Sequence, residues 1–349
     1  MKAFDSISQY LIRTIAENGA RGVAARAASE FKLSRQSIAR RLGQLQAEGI
    51  IKASGVGRGR SYRLAAIHVM RRTHDLHGLT EDAVWSDFRP FFAGLPSQQV
   101  DIWQHGFTEM VNNAIDHSGG KTVKIRAAQT AVTYSASVTD DGEGIFVRIQ
   151  RLTQLNDPRE SILELAKGKL TTDPANHSGE GIFFTSRMFD DFAISSHRLL
   201  FSHKGAEDDD WLVTLMDRDI DGTMVSMELS NKSTRTVQQV FDEFAQPDEF
   251  AFIKTIVPVA LARRDGEELV SRSQAKRLVN RLDKFRMVML DFKGVPRIGQ
   301  AFADQVFRVF KNEHPEVELR SMNETPTVRK MIHRITSGRP GEEGLDPQR

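Results

Sequence analysis

The chain has 349 residues, 40% hydrophobic and 27% charged, with no cysteine and a formal net charge of +2. Such values describe a globular protein of about two or three domains, each long enough for its own core, and exclude a disulfide framework, a thiolate nucleophile and a cysteine-ligated metal. The charge is uneven: residues 1–72 hold fourteen Lys or Arg against four Asp or Glu, a balance of +10 that leaves −8 for the rest.

A basic excess of that size at one end favours a polyanion as partner. The first residues turn polar at once, without an apolar signal core. The longest apolar run, residues 250–262, contains Lys254 and Pro258 and is too short to span a bilayer. We expect a cytoplasmic protein with no membrane partner.

Over residues 5–17, Ile7, Tyr10, Leu11, Thr14 and Ile15 recur at helical spacing after Asp5 as a cap. A short helix over 23–31 and a third over 35–48 follow, the third capped by Ser34 with Ile38, Leu42 and Leu45 inward. Residues 50–64 read as two strands around a basic glycine loop. This order, assigned to residues 1–66, resembles the winged helix-turn-helix domains of bacterial transcription regulators. The resemblance implies that Arg35, Gln36, Ser37, Arg40 and Arg41 meet bases or phosphates of double-stranded DNA in a major groove. Arg58 and Arg60 on the wing would reach the adjacent backbone or minor groove. A basic solvated face on a protein-docking winged helix is the competing reading.

Residues 67–95 read as a connecting region. Its first part, 68–80, is expected as a linker or helix with solvent-exposed His74 and His77, which no carboxylate or thiol spacing turns into a metal site. A helix over 81–92 then carries Trp85, Phe88 and Phe92 as core. The helical stretch 107–117 places Glu109, Asn113 and Asp116 on one stripe, because residues four and seven apart lie over one another; Met110, Val111, Ala114 and Ile115 pack beneath. A carboxylate beside a carboxamide suits a metal–phosphate site, where Asn offers a hard oxygen to Mg²⁺ and Glu polarises an attacking hydroxyl or water. An amphipathic helix with a wet face would show the same stripe. His117 either contacts phosphate or caps the helix C-terminus, where a cation is favoured.

A strand-like run over 131–138 is broken by Asp140, Gly142 and Gly144, with Ile145 behind them. A strand-end carboxylate can accept a hydrogen bond from an exocyclic amine such as that of adenine, and the glycines let backbone approach a flat base. Gly179 and Gly181, followed by Ile182, lead into a helix ending near 189, whose free amides attract phosphate. Each glycine pair alone could be a tight turn.

In this order and spacing the segments resemble the nucleotide-binding boxes of the GHKL superfamily of gyrases, chaperones, histidine kinases and mismatch-repair ATPases. The resemblance covers about residues 96–232 and implies a Bergerat-type α/β sandwich that binds ATP. Glu109 would be the catalytic base, Asn113 the Mg²⁺ ligand, Asp140 the adenine acceptor, and Gly179 with Gly181 the phosphate box. Thr223, in a Gly-Thr strand resembling the family's last, would assist Asp140. The stretch from Asn113 to His117 looks closest to anti-sigma factor serine kinases and histidine-kinase ATP domains. Between the boxes a short helix over 160–166 precedes a polar segment, 167–178, expected as the ATP lid. From it Lys169 reaches the terminal phosphate or is simply solvated. Strand runs follow over 192–229, with an acidic exposed turn at 207–210.

Residues 246–336 alternate strands (250–261, 286–295, 316–319) with helices (271–284, 300–311, 325–335), which implies an α/β domain. It resembles the STAS-like fold of anti-sigma-factor antagonists, in which a phosphorylatable Ser opens the helix after the central strand. Residues 297–302 hold no hydroxyl, which puts phosphorylation in doubt and leaves a docking role. Residues 337–349 read as a disordered tail.

The expected fold class is α+β and α/β, multidomain. The expected function is an ATP-binding transcription regulator, in which the nucleotide domain controls the winged helix and a STAS-like partner domain. The alternative is an anti-sigma-factor-like protein serine kinase or slow ATPase using Glu109 and Mg²⁺–ATP. Implied partners are double-stranded DNA, a protein met through the STAS-like domain, and a second copy of the chain. A histidine kinase is disfavoured, since no long paired helix with an acceptor His precedes the ATP boxes.

Overall fold

A computed structural model describes residues 4–18, 22–57, 60–170, 179–205, 210–244, 252–263 and 267–337. Helices α1 (Ser6–Asn18), α2 (Val23–Glu30) and α3 (Arg35–Ala47) precede an antiparallel hairpin of β1 (Ile51–Ser54) and β2 (Ser61–Leu64). The caps act locally as their residue types dictate. Asp5 accepts the Ser8 N–H at 2.9 Å and Ser34 accepts that of Ser37 at 3.1 Å. Leu11, Ile12, Ile15, Ile38, Leu42 and Leu45 form a core apart from the rest of the chain, closed by Ala131 from a turn of the next domain.

The chain then enters β3 (His68–Asp75), where a linker or connecting helix was expected. β3 pairs over its full length with β4 (Thr122–Gln129), so residues 68–75 are a strand of the central sheet instead of a linker. Its charged residues hid it: β3 is a sheet edge, and edge strands carry charge that discourages further pairing. His77 is exposed; His74 is half-buried, with an Nε2 that has no hydrogen-bond partner.

Helices α4 (Glu81–Phe92) and α5 (Ser97–His117) follow, then β5 (Thr133–Asp140), α6 (Ile145–Thr153), α7 (Glu160–Lys167) and α8 (Gly181–Met188). Strands β6 (Asp191–Ser196), β7 (Leu199–Lys204), β8 (Asp210–Leu215) and β9 (Thr223–Ser230) complete an antiparallel sheet of order β3-β4-β5-β9-β6-β7-β8. The register puts Ile125 opposite Val138, and Val138 and Ile194 opposite Val225; all are buried on one face, as a period of two requires. α4, α5 and α8 cover that face, with Trp85, Phe88, Phe92, Trp103 and Phe107 between the layers. Of the acidic turn, only Asp210, which begins β8, lies within the described residues.

After α9 (Val237–Phe244), a parallel sheet of β10 (Lys254–Pro258), β11 (Met287–Asp291) and β12 (Glu318–Met322) is flanked by α10 (Arg272–Val279), α11 (Gln300–Asp304), α12 (Lys311–Glu313) and α13 (Pro326–Ser337). The first strand is shorter than expected, because Pro258 lacks an N–H to continue the ladder and residues Val259–Ala262 turn into a 3-10 helix. The helix expected over 300–311 is interrupted by a π stretch, Gln305–Phe310. Ser337 ends α13, and residues 338–349 of the expected tail lie outside the described residues. Phe252 and Phe285 join this domain's core to that of the central one.

Candidate functional site

α5 runs under a cavity of about 410 Å³ whose walls come from both glycine segments, α6, α8 and the start of β9. That size falls in the range of small-molecule sites. Glu109, Asn113, His117, Asp140, Ile145, Gly179, Gly181, Ile182 and Thr223 all line it. The helical stripe and the three later segments, far apart in the chain, therefore share one hollow.

At one end the strand termini build a polar floor. Oδ1 of Asp140 accepts the N–H of Gly142 at 2.9 Å and that of Thr223 at 3.2 Å. The Thr223 hydroxyl in turn accepts the N–H of Ile145, at 2.9 Å. Burial pushes the Asp140 carboxyl above its ordinary value against those two donors. Asp141 does a different job: it accepts from the Lys121 and Thr122 amides and the Thr122 hydroxyl, which hold its carboxyl down to about 2 and pin the start of β4.

At the other end Glu109 and Asn113 face the cavity, and the Glu109 carboxylate lies against Gly181, where a side chain would overlap it. Gly181 opens α8, so a helix start, whose first amides have no partner within the helix, borders the same hollow. Among the described residues no cluster of three or more His, Asp or Glu could hold a metal by itself. The single carboxamide of Asn113 fits Mg²⁺ instead, an ion that takes few protein ligands and shares the rest with phosphate and water.

Four expected ligands do not line the cavity. Asp116 is exposed on the last turn of α5, where the cavity, crossing the helix obliquely, meets His117 and Ser118. Gly142 and Gly144 serve the protein's own packing: a side chain at Gly142 would overlap the Ser118 backbone, and one at Gly144 would overlap Ser196 and His197. Lys169 points elsewhere, donating to the Lys284 carbonyl at 2.9 Å. Residues 171–178 of the expected lid lie outside the described residues.

Asn112, Ser118, Arg148, Leu165, Leu170 and Phe183 also line the cavity and were not singled out. Ile145, Ile149 and Leu152 form a stripe at helical spacing that could have marked α6 as a wall. Arg148 pairs with Glu143 at 2.8 Å, and Arg151 chiefly holds the Glu143 carboxyl below its usual value.

In the N-terminal domain Arg35, Gln36, Ser37 and Arg40 are exposed together on α3. Arg41 is tied to Asp5 at 3.0 Å, and Arg60 donates to Gln46 at 3.2 Å and lies over the Tyr62 ring. Arg58 lies outside the described residues.

Residues 83–200 match the histidine kinase-like ATPase domain, and residues 274–329 match the STAS-like domain of unknown function. No curated protein matches the chain. The chain thus contains a histidine kinase-like ATPase domain followed by a STAS-like domain. Among the described residues no helix is long and apolar enough to cross a membrane.

Proposed function

We propose that the protein is an ATP-binding regulator, in which Mg²⁺–ATP in the ATPase domain controls a DNA-binding N-terminal domain and a STAS-like docking domain. The observation that carries this reading is the shared hollow of Glu109, Asn113, Asp140, Gly181 and Thr223. Adenine's amine would be met by Asp140 Oδ2, since the amides of Gly142 and Thr223 occupy Oδ1. Asn113 and the α8 amides would face the phosphates and the cation. The exposed arginines of α3 support the DNA reading. ATP shifts such a protein only by its difference in affinity between two conformations.

The position of Glu109, beside Asn113 and against the start of α8, favours a second reading: a protein serine kinase or slow ATPase with Glu109 as base. Calorimetric titration of ATP with and without Mg²⁺ tests the first. Wild type should bind and Asp140→Ala should not; no binding by wild type overturns it. A γ-labelled phosphate assay on Glu109→Ala tests the second, which fails if transfer or release persists.

A further inference from the structure

The ATPase and STAS-like domains meet through the stretch of chain that leads into the cavity. α7 ends at Lys167, which is 0% exposed. Its ammonium donates to Glu164 Oε1 at 2.7 Å and to the carbonyls of Arg277 and Asn280, each at 2.9 Å. Arg281 donates to the other Glu164 oxygen at 2.7 Å and to the carbonyls of Gly168, at 3.1 Å, and Lys169. Arg277 pairs with Glu160 at 3.0 Å, and the Thr255 hydroxyl donates to the Lys167 carbonyl at 2.8 Å.

Two residues further on, the Lys169 ammonium sits 4.8 Å from the Phe285 ring centre and 5.6 Å from that of Phe252, with the Lys284 carbonyl as acceptor. Lys169 holds φ at +50°, a conformation that a side-chain-bearing residue keeps only when its surroundings impose it. Leu170 comes next and lines the cavity, its N–H bonded to the carbonyl of Gly179. The STAS-like domain therefore grips residues 167–169 immediately before the chain reaches the cavity wall.

We propose that the face of the STAS-like domain around Arg277, Asn280, Arg281 and Lys284 is a docking surface for residues 160–169 of the same chain, and that the phosphates of ATP compete with it for Lys169. The proposal rests on the reading that the cavity takes ATP. A lysine ammonium has three donors, and a neutral carbonyl beside two rings, with the Glu180 carboxylate acting on it electrostatically, satisfies it less well than a directly bonded phosphate would, since charge-assisted bonds are roughly twice as strong. Arg281 holds the Gly168 and Lys169 carbonyls, and so fixes the backbone from which the Lys169 side chain departs toward Lys284. Docking and ATP binding then oppose one another, and the coupling is reciprocal: the factor by which undocking tightens ATP is the factor by which ATP weakens docking.

The test uses the full chain, ATP with Mg²⁺ as probe, calorimetry for affinity and amide hydrogen exchange for docking. Arg281→Ala should tighten ATP on the order of fivefold, the lower end of typical coupling. Lys169→Met should abolish the gain in the double variant. Saturating ATP should raise exchange at residues 277–284 while lowering it at 109–117. Arg281→Lys, which keeps a charge beside Glu164 but lacks the fork that spans two carbonyls, gives the same reading if Arg281→Ala folds poorly. Equal affinities for wild type and both Arg281 variants, a double variant that keeps the gain, or unchanged exchange at 277–284 under saturation each overturn the proposal while ATP binding stands. Failure of wild type to bind ATP removes both readings.

Discussion

The hydroxyl of Thr223, at the start of β9, accepts the backbone N–H of Ile145, the first residue of α6, at 2.9 Å across 78 residues of chain. This bond sets the angle at which α6 leaves the Asp140 loop and so positions one wall of the cavity. Thr223→Val keeps the shape and removes the acceptor. We expect ATP to bind about tenfold more weakly and the fold to lose about 1–2 kcal/mol, the cost of a stranded amide, with Thr223→Ser near wild type. Calorimetry and urea unfolding measure both; unchanged ATP affinity in Thr223→Val would remove this role.

Asp140→Asn should separate binding from stability. The amide oxygen can still accept from Gly142 and Thr223, but the second atom becomes a donor facing another donor on adenine. ATP binding should be lost. Burial raises the folded-state pKa of Asp140 above 3.8, so between those two values the folded chain holds the extra proton. Stability therefore falls as pH rises through that window, and the burden of the buried charge is fully present above it. At pH 7 the nucleotide-free Asn variant should melt at or above the wild-type temperature; a clear loss of stability there contradicts this.

The buried network at the interdomain contact should respond asymmetrically. Burial pulls the Lys167 ammonium down to about 8, and Glu164 lies between it and Arg281. Glu164→Gln leaves two cations without their carboxylate and should cost about 3–5 kcal/mol in urea unfolding. Lys167→Met leaves Glu164 still paired with Arg281 and should cost distinctly less. The reverse order would show that the Lys167 donors, rather than the charge balance, hold the contact.

If α3 reads DNA, the affinity should carry a salt signature. Removing Arg35 or Arg40, both exposed, should lower the slope of log K against log salt by about 1 each if each meets a phosphate. Arg41→Ala should change it less, because Asp5 already pairs with that guanidinium. Fluorescence anisotropy over a salt series gives the slopes. A slope insensitive to Arg35 and Arg40 would return α3 to the role of a solvated or protein-docking face.

Much of the ATPase domain was legible because its signals are local. A turn of helix sets the spacing of Glu109 and Asn113, and the glycine pairs mark where the backbone must leave strand or helix geometry. The spacing of Asp116 is equally local, yet which side of the last turn meets the cavity depends on the elements packed around α5. Gly142 and Gly144 likewise are required by close approach to Ser118, Ser196 and His197, which lie well away in the chain.

β3 misled because, at the edge of its sheet, its charged residues face solvent and resemble a linker; only its pairing with β4 makes it a strand. By itself, then, the sequence determined the elements whose conformation their own residues impose, and the residue types that could meet a nucleotide. Tertiary structure alone decided which of them converge, and that Lys169 lies against Phe252, Phe285 and the Lys284 carbonyl. A lysine's spacing says how far it can reach, but its direction follows from the charges and carbonyls of a domain more than a hundred residues away.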